Sequence, residues 1–89
     1  MNTLENLRYH VKRLRLAKGL SQEALAEKAG LEYKHYQRIE SGAFKGIQLR
    51  TIEALAEALD VLPCILICPT DKKIPLKNLK AGRKQRKRD

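Results

Sequence analysis

An all-α fold of five short helices with a flexible basic C-terminal tail is what this chain predicts, on three observations. Apolar residues recur at steps of three and four in successive segments. Capping residues open those segments and glycines close them. From Asp71 onward apolar residues thin out and Lys and Arg take over, so that stretch cannot bury enough surface to order itself. The folded domain is therefore expected at 1–70 and the tail at 71–89. With 89 residues the chain is one domain. A domain this short buries only about 60% of the surface its unfolded chain exposes, so a partner or a second copy is a natural source of stability.

The first helix is expected from Thr3 to Lys18, with Thr3 as its cap, a stripe of Leu4, Leu7, Val11 and Leu14, and Gly19 as the stop. Ser21 caps a second helix, QEALAEKA, in which Glu23 suits the helix dipole. Its capping box is incomplete, because Ala24 holds the third position. Gly30 interrupts it. A third helical segment runs from Leu31 to Ser41 with Tyr36 and Ile39 inward, and Gly42 ends it. Ala43 to Arg50 reads as a loop. Thr51 then caps a fourth helix, IEALAEALD, with Ile52, Leu55, Ala56 and Leu59 inward. Val61 to Cys68 is nearly all apolar. Pro63 fits the first turn of a short fifth helix that Pro69 ends, although the run CILIC also suits a strand.

The net charge of +9 is unevenly spread. Residues 1–71 hold ten Lys and Arg against nine acids, whereas residues 72–89 hold nine against one. A basic balance points to nucleic acid rather than to acidic small molecules, but most of it lies in the tail. Such a tail can bind nucleic acid without sequence preference through counterion release, solubilise the chain, or dock on an acidic partner. The chain opens on MNTLENLRYH, with no apolar leader and no run that could span a bilayer, so a cytoplasmic protein is expected. Cys64 and Cys68 lack a second ligand pair for structural zinc and are expected as buried small hydrophobes. No Ser/His/Asp or Cys/His constellation and no phosphate-cradling glycine loop is present, so neither an enzyme nor a cofactor or metal protein is expected. His10 is expected on the surface, and Lys12, Arg13 and Lys18 on a solvated face.

The function-bearing feature lies at about 21–41. Two short helices, Ser21–Ala29 and Glu32–Ser41, are joined by Gly30-Leu31, which is the geometry of a helix-turn-helix. Leu25, Ala26, Ala29, Leu31, Tyr36 and Ile39 can hold the pair together. Glu32, Tyr33, Lys34, His35, Gln37 and Arg38 are left to face outward.

GLSQEALAEKAGL, RIESG and TIEALAEALDV closely resemble the Cro/CI-type, or XRE-type, helix-turn-helix regulators, over roughly residues 4–67. The resemblance implies a lambda-repressor-like domain that binds double-stranded DNA as a homodimer, with the second helix of the motif in the major groove. It places Tyr33, Lys34 and Arg38 at base edges, where Lys34 and Arg38 can donate to guanine O6 and N7. His35 and Gln37 flank them, and Gln22 falls where relatives fix the DNA backbone and support the reading helix. Lys45 and Arg50 can clamp phosphates. Arg15 and Glu40 match an internal ion pair, which removes Arg15 from the list of DNA contacts. The surplus of apolar residues at Leu62, Ile65 and Leu66 implies the dimer seam. The chain departs from the family pattern in three places. Glu32 replaces a small polar cap, Tyr36 replaces an aliphatic core residue and needs a hydroxyl partner, and the 43–50 loop is longer. The resemblance leaves open an antitoxin whose tail binds a toxin, a restriction–modification controller, a protein-interaction adaptor that makes no use of DNA, and an RNA binder driven by the tail.

Overall fold

The computed structural model describes residues 2–69, so the 71–89 tail lies outside the described residues. Five helices follow one another: α1 (Thr3–Ala17), α2 (Gln22–Ala29), α3 (Tyr33–Ser41), α4 (Leu49–Leu59) and α5 (Pro63–Leu66). No strand occurs among the described residues, and CILIC contributes the single turn of α5 and the bend after it. α1 packs against α3, α4 and α5, while α4 packs against α2 and α5.

The helix starts differ from expectation at two places. Asn2, not Thr3, caps α1: its side chain accepts from the Glu5 amide at 2.9 Å, and Glu5 returns a bond to the Asn2 amide at 3.0 Å. This reciprocal pair satisfies two end-of-helix donors, whereas a Thr3 cap would have had Asn6 in place of the glutamate. α4 begins at Leu49, with Gln48 as cap, so Arg50 lies in its first turn rather than in the loop. Thr51 is buried there and donates its amide to the Gln48 carbonyl at 3.0 Å. A threonine whose own N–H already closes a helical turn is inside the helix, not in front of it. The Ser21 cap is present, with Oγ accepting from the Ala24 amide at 3.0 Å.

The ends of α2, α3 and α4 share one device. Gly30, Gly42 and Asp60 adopt left-handed φ values of 73°, 82° and 68°. The next amide then reaches back: Leu31 to Ala26, Ala43 to Arg38, and Val61 to Ala56, at 2.8, 3.1 and 3.0 Å. This closure satisfies carbonyls that would otherwise be orphaned, and it turns the chain sharply enough to keep the helices short.

Leu7, Val11 and Leu14 of α1 meet Leu25, Tyr36, Ile39, Leu55, Leu59 and Leu66 in one core. Ile65 and Leu66, expected at a dimer seam, are inside it, with Leu66 at 0% exposure. A helix of one turn has too few residues to fill its share of the core and still spare these two. Leu62 is half-buried, and Pro63, Cys64 and Ile67 face outward instead. Cys64 is thus exposed and Cys68 half-buried, not the buried pair expected. The Cys68 thiol donates to the Cys64 carbonyl at 3.2 Å.

His10 is also buried rather than on the surface. Its Nε2 lies 2.9 Å from the Cys68 carbonyl and its Nδ1 accepts from Arg13 Nη2 at 3.3 Å. This arrangement requires a neutral ring protonated on Nε2. Burial lowers its affinity for a second proton, the Cys68 bond raises it, and the Arg13 charge lowers it; the net pKa falls below 6.5. Because Cys68 returns alongside α1, the face expected to be solvated is covered at this point.

Candidate nucleic-acid interface

The second helix of the motif presents a stripe. Lys34, Gln37, Arg38 and Ser41 occupy positions i, i+3, i+4 and i+7 of α3, and all four are exposed. Opposite them Tyr36 and Ile39 are buried in the core. The side chains of Lys34, Gln37 and Arg38 have no hydrogen-bond or ion-pair partner among the described residues. Tyr33 flanks the stripe at 41% exposure, with its hydroxyl equally free. His35 departs from the expected set, being half-buried with its ring tilted against Phe44 at 5.2 Å between centroids. Phe44 anchors the loop between α3 and α4, so His35 braces the loop. Lys45 on that loop and Arg50 on α4 are both exposed.

Glu32 is the cap residue of α3, yet its side chain makes no capping bond and is exposed. The cap position is therefore filled without the amide contact that a serine would supply.

Behind the stripe a polar cluster fixes α3. Glu40 receives four donors through its two oxygens. Arg15 Nε reaches Oε2 at 2.6 Å and Arg15 Nη2 reaches Oε1 at 3.2 Å. Gln22 Nε2 donates to Oε1 at 2.7 Å, and the Tyr36 hydroxyl donates to Oε2. Arg15 Nη1 also holds the Leu20 carbonyl at 2.8 Å, before α2 begins. The ion-pair side chains are only 9% and 5% exposed. The internal pair is therefore present, and the Tyr36 hydroxyl has the partner it needs. Gln22, expected at the DNA backbone, turns its amide inward to Glu40. Burial pushes the Glu40 carboxyl up, but the bonds from Arg15, Tyr36 and Gln22 outweigh it and hold the group below 4.5. The Arg15 guanidinium is shifted up by its bond to Glu40, and burial together with Glu40 raises the Tyr36 phenol.

The cluster separates two populations of charge. Arg15 and Glu40 neutralise each other and position α3. Lys34 and Arg38 keep their charge and donors unspent and point away from the core.

A helix-turn-helix family model matches residues 11–66. The chain belongs to the XRE-type helix-turn-helix family. The solved structure of a hypothetical transcription factor, NHTF, from Neisseria superposes with a TM-score of 0.73 and 31% identity, over 90% of this chain and 83% of that one. A SinR protein/SinI protein complex contains a chain that superposes with a TM-score of 0.70 and 25% identity, over 90% of this chain and 78% of that one. Comparison with curated proteins returned no match. This XRE-type chain is a DNA-binding transcriptional regulator with a lambda-repressor-like domain. No helix among the described residues is long and apolar enough to cross a membrane. No group of three or more His, Cys, Asp or Glu among them could hold a metal ion.

Two features of the XRE-type domain escaped the sequence reading. One is Glu40 as the partner through which Gln22 supports the reading helix. The other is Arg8, which donates from Nε to the Glu40 carbonyl at 3.1 Å. A signal for the second was present: Arg8 precedes Arg15 by seven residues and so shares its flank of α1.

Proposed function

We propose that the chain reads duplex DNA sequence-specifically with the outer face of α3 and represses transcription by occupying an operator. One observation carries the reading: Lys34, Gln37 and Arg38 form an exposed stripe whose donors no other described side chain uses. In a major groove, Lys34 and Arg38 donate to guanine O6 and N7, and Tyr33 lies against a base edge beside them. Gln37 and His35 flank the reading positions. Lys45 and Arg50 contact phosphates on either side of the groove, fixing register without reading sequence. Gln22 reaches a phosphate only if one of its amide protons stays free of Glu40.

Two copies bind half-sites about one helical turn apart. With Ile65 and Leu66 enclosed, the seam uses Leu62 together with the exposed Pro63, Cys64 and Ile67. Such a small domain makes few base contacts alone, so pairing is the simplest source of affinity. Light scattering of the DNA complex checks the seam; one chain per duplex at micromolar concentration would contradict it.

A second reading adds a protein partner. It is favoured by the neighbour whose structure is of a protein complex. The basic 72–89 segment is then the arm that captures an acidic partner, such as a toxin paired with this chain.

Selection from a pool of random duplexes at two salt concentrations tests the main reading. A two-fold-related consensus is expected. Retention without any consensus at either salt would overturn it.

A further inference from the structure

We propose that Arg8 is a positioning residue for DNA reading: with Gly42 it forms a clamp that sets the angle of α3 against α1. The proposal rests on the DNA-binding reading of α3. Arg8 is half-buried, and among the described residues its charge is not spent on a carboxylate. Its Nε donates instead to the main-chain carbonyl of Glu40 at 3.1 Å. The guanidinium then lies beside Gly42. A Cβ built on Gly42 would fall 2.8 Å from Arg8 Nη1, 2.9 Å from Cζ and 3.1 Å from Nε. Gly42 is glycine for its φ of +82°, which disfavours a side chain, and a Cβ there would push the Arg8 guanidinium aside.

The placement has a mechanical consequence. Arg15 holds the Glu40 carboxylate, at the end of a flexible side chain. Arg8 holds the Glu40 carbonyl, in the backbone of α3 itself. The two arginines sit seven residues apart on one flank of α1, a separation of roughly two helical turns. Tyr36 and Ile39 hold α3 on the core, and the Arg8 bond to the α3 main chain near its C-terminal end adds a restraint on the direction of the axis. The cation also faces the negative end of the α3 dipole. Lys34 and Arg38 are carried on the helix so fixed. A tilt of α3 would move both relative to the bases they read.

The test uses full-length Arg8→Met, Gly42→Ala and the double variant, each checked by thermal melt. The readout is affinity for a selected duplex and for a scrambled one across a salt series. Arg8→Met removes the donors and keeps a stem over Gly42. Gly42→Ala keeps the charge of Arg8 but displaces its guanidinium. Either change is expected to lower the selected-to-scrambled ratio about tenfold, the scale of one lost charged hydrogen bond. The double variant should lose no more than the larger single loss, and the salt slope should not change. An unchanged ratio in both single variants overturns the clamp. So does a slope shallower by about one phosphate in Arg8→Met alone, which would make Arg8 a backbone contact. A wild type that selects no duplex sinks the DNA reading instead. The clamp is then judged without DNA: faster amide exchange at Gly42 and Ala43 in Arg8→Met keeps it, and unchanged exchange removes it.

Discussion

Replacing Arg15 with Met should strongly destabilise the protein while removing no DNA contact. The guanidinium makes three hydrogen bonds, two to Glu40 at 2.6 and 3.2 Å and one to the Leu20 carbonyl at 2.8 Å. Methionine keeps much of the stem volume but supplies no donor. Glu40 would then remain almost enclosed with only Gln22 and Tyr36 as partners, and the Leu20 carbonyl would lose its bond. Breaking a buried ion pair on one side costs about 3–5 kcal/mol, because the remaining charge is uncompensated. Small domains have about 5–15 kcal/mol in all, so roughly a fifth or more of the stability is at stake. For a domain of this size the melting temperature should fall by roughly 12–40 °C. Circular dichroism melts and urea titrations measure it. Arg15→Met/Glu40→Leu should be less destabilised than the sum of its single changes, since the stranded charge is gone. At a temperature where Arg15→Met is still folded, the salt slope of its binding to a selected duplex should match wild type, because Arg15 makes no phosphate contact. A loss of stability below about 1 kcal/mol, accompanied by a loss of DNA affinity, would refute the reasoning and make Arg15 a DNA contact.

The reading face should behave in the opposite way. Lys34→Ala and Arg38→Ala should each cost about 1–3 kcal/mol of discrimination at one base position, measured by competition with single-base variants of a selected duplex. Both should leave the unfolding free energy within about 0.5 kcal/mol of wild type, because the side chains are exposed and unpartnered. Acid should destabilise the fold in two steps. His10 is held below 6.5 in the folded chain, so its contribution is complete above that pH and is lost as pH falls through its lower folded value. Glu40, held below 4.5, adds a second loss at still lower pH. Urea unfolding across this range should show both steps, and His10→Gln should flatten the upper one. Gly30→Ala should cost about 1–2 kcal/mol in the same assay, from its φ of +73° alone, since nothing lies within 4 Å of the added Cβ.

Most of the fold was legible because its signals are local. The stripe of α1, the Ser21 cap and the glycines after α2 and α3 each act within a few residues, and the helices stand where those signals put them. The start of α4 was not legible. Thr51 is a good cap by type, and only its burial and its bond to Gln48 show it inside the helix. The outward placement of Lys34, Gln37 and Arg38 followed from period, whereas their assignment to DNA came from family resemblance. The Arg15–Glu40 pair came from family resemblance, since a contact across 25 residues leaves no local trace. His10, Cys64 and Ile65 went astray for a single reason: how α5 and the segment after it return along α1. That return encloses His10 against Cys68, turns Ile65 and Leu66 inward and leaves Cys64 outside. Hydropathy ranks those residues but does not say which side of a one-turn helix faces home.

The measurement that bears most directly on the role of α3 is a salt series comparing full-length protein with residues 1–71, against a selected duplex and a scrambled one. The folded part carries almost no net charge and the tail carries most of it, so the two sources of affinity separate cleanly by salt. If α3 reads the sequence, residues 1–71 keep the preference for the selected duplex, and removing the tail lowers both affinities together and makes the salt slope shallower. If truncation abolishes binding, and the full-length protein shows no preference between the two duplexes, the tail is the nucleic-acid element and the exposed face of α3 serves something else.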